Sequence, residues 1–287
     1  MMDPIQRIDL ENVKRVGIAA AYQAAEILQA KFGKISRVRK KGVIDLVTEA
    51  DTASEERILQ VIRSRFPDHG ILAEESGRDT RNSACTWIID PLDGTTNYAH
   101  RIGLYAVSIA FAVEGDVVVG IVLNPVAGEL FTATAGGGAV CNERPIRVSE
   151  IPSLTDSLLV TGFPYDVREN LAPIVSRFTR CLKAAQGIRR LGSAALDLCH
   201  VACGRFEGFW EEHLKPWDTA AGMLIAREAG AKITDFLNRP YTPESRDILA
   251  TNGYVHEQLL ELLNGAAKSG QNLRGEGRSD SAAEKSV

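Results

Sequence analysis

Two short apolar runs in the first half of the chain each end at an acidic residue, and they restrict the folds open to it. Residues 71–73 (Ile-Leu-Ala) precede Glu74, and residues 87–89 (Trp-Ile-Ile) precede Asp90. Runs this short and this apolar predict buried strands. A carboxylate beside a buried strand costs free energy unless something pairs with it. We therefore expect a sheet whose strand ends hold acids that need a partner.

The order of the remaining elements predicts a layered α/β fold with a mixed sheet, because a helix and a β-rich block are followed by alternating strands and helices. A Thr-Ala-Ser-Glu capping box at 52–55 predicts the start of the second helix, and the basic stretch 34–41 is predicted to be a connection. The predicted helices are 9–31, 52–66, 168–185, 193–204, 216–230 and 255–263. The predicted strands are 43–47, 71–73, 87–89, 105–113, 117–123, 130–134, 157–160, 206–210 and 248–250.

The length allows one large domain or two close-packed lobes, and we expect residues 1–265 to form a single domain with lobes of about 1–150 and 151–265. The Gly-, Ser- and charge-rich residues 266–287 are predicted to be a disordered tail. Three glycines at 136–138 lack the Lys-Ser/Thr of a P-loop, so they are interpreted as turn glycines with positive φ.

Charge and cysteine usage exclude several classes of protein. The net charge of −4 argues against nucleic acid as a main partner. No apolar stretch approaches the roughly 20 residues of a membrane span, and the first residues do not form a signal peptide. An odd count of 5 cysteines without a CxxC pair suits a reducing, cytoplasmic compartment. Cys199, His200 and Cys203 suggest a metal site, but buried small residues on one helix face explain them more simply.

Four acidic clusters are predicted to stand at the ends of elements, and three of them follow apolar strand runs. α/β sheets place their sites at the carboxyl ends of strands, so convergence of these acids would require a cation. An all-oxygen ligand set favours Mg²⁺ or Mn²⁺ over Zn²⁺. The clusters are Asp45 and Asp51, Glu74 and Glu75, Asp90 and Asp93, and Glu211 and Asp218.

Each acid also has a purely structural interpretation. Asp51 is a candidate helix N-cap, and Glu74 with Glu75 could form a solvated loop. Asp93 could cap the turn that follows it, and Asp218 lies in a predicted first helical turn, where an acid complements the helix dipole. Taken together, these structural interpretations are weaker, because all four acidic clusters would then stand at element ends by coincidence.

The Gly94-Thr95-Thr96 step next to Asp93 favours a phosphate site. Glycine lets backbone N–H groups approach an anion, and the Thr95 hydroxyl adds a further polar contact. A phosphate at this turn would lie within reach of cations held by Asp90 and Asp93. Acids that hold cations beside an anion cradle are typical of metal-assisted phosphoryl chemistry.

Four motifs in order show a family resemblance over roughly residues 8–265. GVIDLVTEAD, ILAEES, WIIDPLDGTTN and WEEHLKPWDTAAG make the chain resemble the inositol monophosphatase family of Mg²⁺-dependent, lithium-sensitive phosphatases. The resemblance implies an α/β fold, a layered αβαβα sandwich of the inositol monophosphatase and fructose-1,6-bisphosphatase type. It also implies a homodimer that hydrolyses myo-inositol 1-phosphate and related inositol monophosphates through metal-activated water.

The resemblance also implies roles for individual residues. Metals would be held by Glu74, Asp90, Asp93, Asp218 and the carbonyl of Leu92, as two Mg²⁺ ions and a weaker third, with Mn²⁺ as a substitute. Glu74 and Thr95 would orient and deprotonate the attacking water, with Asp51 behind Thr95. The substrate, a small phosphorylated polyol, would contact Asp93, Gly94, Thr95, Ser193, Ala194, Glu211 and Asp218. A basic residue near the site is expected at Lys40 or Lys41.

Departures from the family pattern leave the substrate open. Ser193 stands where some relatives have Thr, and Glu212-His213 is bulkier and more polar than the Met-Gly of others. Fructose 1,6-bisphosphate, histidinol phosphate and 3′-phosphoadenosine 5′-phosphate are alternative substrates. A non-catalytic, metal-stabilised regulatory dimer is the alternative from another class; it would be marked by loss of an acidic ligand, and none is lost.

Overall fold

The structure, a computed structural model, describes residues 8–34, 46–79, 81 and 83–265, and the backbone of 38–40. Lys41, Asp45 and the predicted tail 266–287 lie outside the described residues, as does the side chain of Lys40. The α-helices of the described part are α1 (Leu10–Lys31), α2 (Glu49–Arg65), α3 (Thr95–Ala99), α4 (Leu171–Ala184), α5 (Ala194–Ala202), α6 (Pro216–Glu228) and α7 (His256–Asn264).

The strands form three sheets. In chain order they are β1 (Val38–Lys40), β2 (Leu46–Thr48), β3 (Gly70–Ala73), β4 (Gly77–Arg78), β5 (Cys85–Asp93), β6 (Ala106–Val113), β7 (Asp116–Asn124), β8 (Glu129–Thr134), β9 (Ala139–Cys141), β10 (Arg144–Pro145), β11 (Leu158–Thr161), β12 (Gly187–Arg189), β13 (Gly208–Glu212), β14 (Lys232–Thr234) and β15 (Asp247–Thr251). A two-stranded sheet pairs β1 with β2, an eight-stranded sheet has the order β10-β9-β8-β7-β6-β5-β3-β4, and a five-stranded sheet has the order β12-β11-β13-β15-β14.

Both large sheets are mixed. In the eight-stranded sheet only β3 and β5 run parallel to each other, whereas in the five-stranded sheet β11 runs parallel to both β12 and β13. Parallel neighbours bring their carboxyl ends to the same edge. The ends of β3 and β5, and those of β11 and β13, therefore lie side by side.

Helices cover both faces of each large sheet, which gives five layers. Trp87 and Ile89 of β5 face a core shared with α1 and α2, whereas Ile88 between them faces a core shared with α5 and α6. The far face of the five-stranded sheet packs on α4 and α7 around Trp210 and Leu249. The order α1/α2, sheet, α5/α6, sheet, α4/α7 confirms the predicted layered α/β fold.

At one point, α6 and the eight-stranded sheet approach each other backbone to backbone. A Cβ added to Gly120 of β7 would lie 2.6 Å from the carbonyl oxygen of Ala221 in α6. The missing side chain at Gly120 therefore sets how closely this helix approaches the sheet.

The start of α2 differs from the sequence prediction. The helix begins one turn earlier, because Thr48 is its N-cap and Asp51 completes the capping box by accepting a hydrogen bond from the Thr48 N–H. Glu55, predicted to belong to the box, instead accepts hydrogen bonds from the N–H groups of Glu75 and Ser76 at 2.9 and 2.8 Å. Glu55 thus fixes the loop that carries Glu74.

Other boundaries moved or were missed. Residues 38–40, predicted to belong to a connection, form β1. The strand predicted at 206–210 lies at Gly208–Glu212, and the helix predicted from 168 starts at Leu171. β4, β9, β10, β12 and β14 were not predicted, since two- and three-residue strands carry too little pattern. Gly136 and Gly138 have φ of 72° and 77°, as predicted, whereas Gly137 between them does not have a positive φ. No helix in the described part of the chain combines the length and the apolar character needed to span a bilayer.

Candidate active site

Four acids from three separate segments lie together where β3 and β5 end. Asp90 and Asp93 are at the end of β5, and the Glu74 N–H donates to the Ile89 carbonyl at 3.1 Å, so Glu74 lies beside that strand end. Asp218 comes from the first turn of α6. Burial raises the pKa of Asp90 well above its ordinary value, and the charges of Glu74, Asp93 and Asp218 raise it further. The structure thus brings the predicted acids into one electrostatic cluster.

β5 changes register between its two acids, and this change sets their separation. The pairing of β5 with β6 is regular up to Asp90 and resumes at Asp93. Pro91 has no N–H to donate, and the Leu92 N–H donates to the Asp90 carboxylate at 2.9 Å. The Ser54 hydroxyl of α2 donates to the Pro91 carbonyl at 3.0 Å and holds the bulge in place.

Gly94 is required by the turn that follows Asp93. Its φ of 93° lies in the left-handed region, and a Cβ there would lie 2.9 Å from the carbonyl oxygen of Leu104. Only glycine satisfies both conditions. The turn starts α3 and points the next residue, Thr95, back toward Asp51.

Thr95 and Asp51 form a buried hydroxyl–carboxylate pair. The Thr95 Oγ1 lies 3.1 Å from Asp51 Oδ1 and 3.0 Å from the Leu92 carbonyl oxygen. The other Asp51 oxygen accepts from the Thr48 N–H and hydroxyl at 2.8 and 2.6 Å. Burial raises the pKa of Asp51, while these hydrogen bonds oppose the rise. Asp51 is therefore not the helix N-cap considered as its structural alternative: Thr48 is the N-cap, and Asp51 is the third helical residue, which both completes the capping box and contacts Thr95.

Asp93 joins this cluster to the start of α5. One oxygen of its carboxylate accepts from the Ser193 hydroxyl at 2.6 Å and from the Ala195 N–H at 2.8 Å. Ser193 also caps α5, as the sequence predicted. Burial raises the pKa of Asp93 to about 6, although the bonds to Ser193 and Ala195 lower it.

Glu211 lies at the end of β13, across the cleft from the acids. It is buried, and burial raises its pKa to about 8, with the Arg190 guanidinium acting in the opposite direction. The cleft between these groups is lined by Asp93, Thr95, Ser193, Glu211 and Asp218 among others. Gly94 and Ala194 line it too, so all seven of the predicted substrate-binding residues share one cavity.

Glu212 and His213, which depart from the family pattern near the expected polyol pocket, form hydrogen bonds and ion pairs with other side chains. Glu212 forms an ion pair with Arg177 at 2.6 Å. The His213 Nδ1 lies 3.1 Å from the Asp166 carboxylate, and its Nε2 accepts from Arg246 at 2.8 Å. Because Arg246 can only donate, the proton of His213 is on Nδ1. Both residues build the cavity wall through partners outside the cavity.

The chemistry of the acidic cluster suits a divalent cation. Burial raises the pKa of Asp90 and of Asp218, the charges of Glu74 and Asp93 raise both further, and a cation would remove that cost. Within the described residues no three His, Cys, Asp or Glu side chains already have the spacing of a metal-binding group. Their oxygens instead accept protein donors, such as the Lys215 N–H on Asp218 at 2.7 Å. The donor set of carboxylates and one carbonyl nevertheless fits Mg²⁺.

The alternative metal site around Cys199 has a different environment. Cys199 and His200 are buried in the core between the sheets, and burial raises the pKa of the Cys199 thiol and lowers that of His200 to about 4. The absence of a metal-binding group in the described residues includes this helix.

Sequence reasoning missed several residues of the cavity. Gly162, Phe163 and Arg190 line it outside the four motifs, and Lys215 lines it from within WEEHLKPWDTAAG, where it was given no role. Asp197 of α5 is buried beside Glu211 and Asp93, and its Oδ1 has no hydrogen-bond partner in the described part of the chain. A single acid within the apolar run AALDLCHVA was the available signal for it.

Comparison with known proteins places the chain in a family. The inositol monophosphatase family profile matches residues 9–271. A Synechocystis protein named inositol-1-monophosphatase is 45% identical over 258 residues, 89% of this chain and 90% of the relative. A Pasteurella multocida protein named Nus factor SuhB is 41% identical over 82% of this chain and 86% of the relative.

A solved structure of similar sequence has the same fold. The inositol monophosphatase from Anabaena (Nostoc) sp. superimposes with a TM-score of 0.81 at 42% identity, over 90% of this chain and 97% of that one. Profile, relative and structure thus confirm the resemblance inferred from the four motifs. The chain belongs to the inositol monophosphatase family, whose members are metal-dependent phosphatases that hydrolyse phosphoric monoesters.

Proposed function

We propose that this protein hydrolyses myo-inositol 1-phosphate and related inositol monophosphates to inositol and phosphate. The observation that carries the proposal is the Thr95–Asp51 pair, at 3.1 Å, set beside the cluster of Glu74, Asp90, Asp93 and Asp218. A hydroxyl held by a buried carboxylate next to a cation site is suited to orienting an attacking water.

The proposed cofactor is Mg²⁺, two or three ions per site, with Mn²⁺ as a substitute. Glu74, Asp90, Asp93, Asp218 and the Leu92 carbonyl would hold it. When bound, the metal would supply Lewis-acid activation of water and stabilise the leaving alkoxide. The family membership makes lithium sensitivity, a homodimer and a cytoplasmic location part of the proposal.

The side chains of this protein would position the reactants. Gly94 and Thr95 would hold the phosphate, since the missing Cβ at Gly94 lets the backbone approach an anion. Thr95, with Asp51 behind it, and Glu74 would orient the water and accept its proton. Ser193 and Ala194 at the start of α5, together with Glu211, would bind the polyol hydroxyls. Positioning of this kind supplies a large share of the rate in phosphate-ester hydrolysis.

Release of phosphate from a panel of substrates tests the proposal. Inositol 1-phosphate should be hydrolysed with Mg²⁺ and should outcompete fructose 1,6-bisphosphate, histidinol phosphate and 3′-phosphoadenosine 5′-phosphate in kcat/KM. EDTA should abolish the activity, and added Mg²⁺ should restore it. Full turnover in EDTA would exclude the metal-dependent mechanism, and preference for another ester would reassign the substrate.

The second candidate is a role apart from catalysis, which the relative named Nus factor SuhB motivates. The presence of all four acids disfavours it as the only role. Absence of turnover on the whole panel, with Mg²⁺ binding intact, would favour it.

A further inference from the structure

Gly162 follows β11 directly and lies beside Glu211 in the next strand. β11 and β13 run parallel with Leu159 opposite Gly208 and Thr161 opposite Trp210. One step further along this register puts position 162 opposite position 211. Registered neighbours in a sheet direct their side chains to the same face.

The Glu211 carboxylate occupies the space where a side chain at position 162 would be. A Cβ built on Gly162 would overlap both carboxylate oxygens and the Cδ of Glu211. Gly162 is itself buried, and Glu211 is 8% exposed. The Glu211 carboxylate, which lines the cleft, therefore lies directly against the backbone at Gly162.

A cation also lies near Glu211. Phe163, next to Gly162, carries the Arg190 guanidinium over its ring at 5.8 Å. Arg190 is the cation that acts on the Glu211 charge. The Glu211 carboxylate thus lies against the backbone at Gly162 and within electrostatic reach of Arg190.

We propose that Gly162 is a positioning residue, which sets the depth at which the Glu211 carboxylate meets the polyol hydroxyls of the substrate. The inference rests on the proposed function, in which Glu211 binds those hydroxyls. An alanine at 162 must displace the carboxylate by at least about 1 Å into the cleft, since two non-bonded heavy atoms need contact distances near 3.5 Å. The polyol end of the site would become shallower, while the acidic cluster around Asp90 would be unchanged.

The test is a double-mutant cycle of Gly162→Ala and Glu211→Ala with Mg²⁺. We expect Gly162→Ala to raise KM for myo-inositol 1-phosphate about tenfold and to change kcat less than about threefold, the pattern of lost binding. In the Glu211→Ala background the same change should alter KM less than about twofold. Hydrolysis of p-nitrophenyl phosphate, which lacks the polyol hydroxyls, should be unaffected by Gly162→Ala.

Gly187→Ala is the matched control in the same sheet. A Cβ at Gly187 makes ordinary contacts of 3.4 and 3.5 Å with Leu158 and Arg189, so this variant should match the wild type in KM. A crystal structure of Gly162→Ala gives a readout independent of substrate, and the Glu211 carboxylate should be displaced in it.

The outcomes separate this inference from the proposed function. An unmoved Glu211 carboxylate in Gly162→Ala, or an equal rise in KM in both backgrounds, would overturn the positioning role. If the wild type hydrolyses p-nitrophenyl phosphate but no inositol phosphate, the proposed function fails. The crystal structure then still decides whether Gly162 fixes Glu211.

Discussion

At the scale of single residues, Asp93 connects the two halves of the molecule. Its carboxylate ends β5 in the first half and accepts hydrogen bonds from Ser193 and Ala195 in the second half. It is also a neighbour of Asp90 and Asp218. A carboxylate that is both buried and surrounded by acids destabilises the metal-free fold.

Asp93→Asn should therefore lower turnover sharply without unfolding the protein. We expect kcat with Mg²⁺ to fall by about two to three orders of magnitude, the usual cost of losing one charge-stabilising group. The melting temperature in EDTA should stay equal or rise, because a buried charge is removed. Asp235→Asn, in a turn away from the site where the Asp235 carboxylate accepts from the N–H groups of Leu237 and Arg239, should leave kcat unchanged and lower the melting temperature. A near-wild-type rate would remove Asp93 from the proposed ligand set.

At the scale of elements, the start of α5 combines capping with contact to the site. The Ser193 hydroxyl accepts from the Leu196 N–H and donates to Asp93. A single hydroxyl thus satisfies the helix terminus and fixes a carboxylate of the cluster. Both tasks need the hydroxyl of Ser193, and threonine, which adds only a methyl group, would keep that hydroxyl.

The pair Ser193→Ala and Ser193→Thr separates these requirements. Ser193→Ala should lower the free energy of unfolding by about 1 kcal/mol, the typical cost of a lost N-cap, and should also reduce kcat/KM about tenfold or more. Ser193→Thr keeps the hydroxyl and should stay within about threefold of wild type in kcat/KM. Urea unfolding and phosphate release measure the two effects. Equal activity in the two variants would show that the hydroxyl does not position Asp93.

The long helices and strands and the acidic residues of the site could be predicted from the sequence. Features set by contacts between residues far apart in the chain could not. Trp87 and Ile89 mark a strand because local apolar pattern suffices. The capping box was misplaced because Thr52-Ala53-Ser54-Glu55 satisfies the same pattern as Thr48–Asp51, and only the contact of Glu55 with the Glu75 loop separates them. Gly162 and Arg190 have no local signal, since their places follow from how β11 and β13 pair.

At the scale of the whole molecule, the fold concentrates negative charge between layers that exclude water. Burial is the first cause of the raised pKa of Asp90, Asp197, Glu211 and Asp218. The native protein therefore retains protons that the unfolded chain has released. By linkage, the free energy of unfolding falls as pH rises toward these native pKa values.

We expect metal-free protein to lose stability between pH 7 and pH 8. Glu211, with a pKa of about 8, titrates in this window. Burial lowers the pKa of His200 and His256 to about 4. These two groups make the free energy of unfolding rise with pH, but only below about pH 6.5, so they do not affect the window from pH 7 to pH 8. Each proton retained by the native state changes the free energy of unfolding by about 1.4 kcal/mol per pH unit.

Melting temperatures with EDTA and with Mg²⁺ check this expectation. The increase caused by Mg²⁺ should be larger at pH 8 than at pH 7, because the metal competes with protons for the acids. Glu211→Gln in EDTA should reduce the fall in stability between the two pH values. An increase from Mg²⁺ that is equal at both pH values would contradict the linkage.

The contact of Gly120 with Ala221 has a mechanical consequence for Asp218. Where a helix rests on a sheet through side chains, rotamer changes can absorb a small displacement, but two backbones in contact have nothing to compress. Asp218 lies one turn before Ala221 in α6 and so shares the stiffness of β7. A methyl group at position 120 would push α6 away from the sheet and tilt it, and Asp218 would move although it does not contact residue 120. We therefore expect substitution of Gly120 in β7 to lower phosphatase activity, as substitution of the acids should.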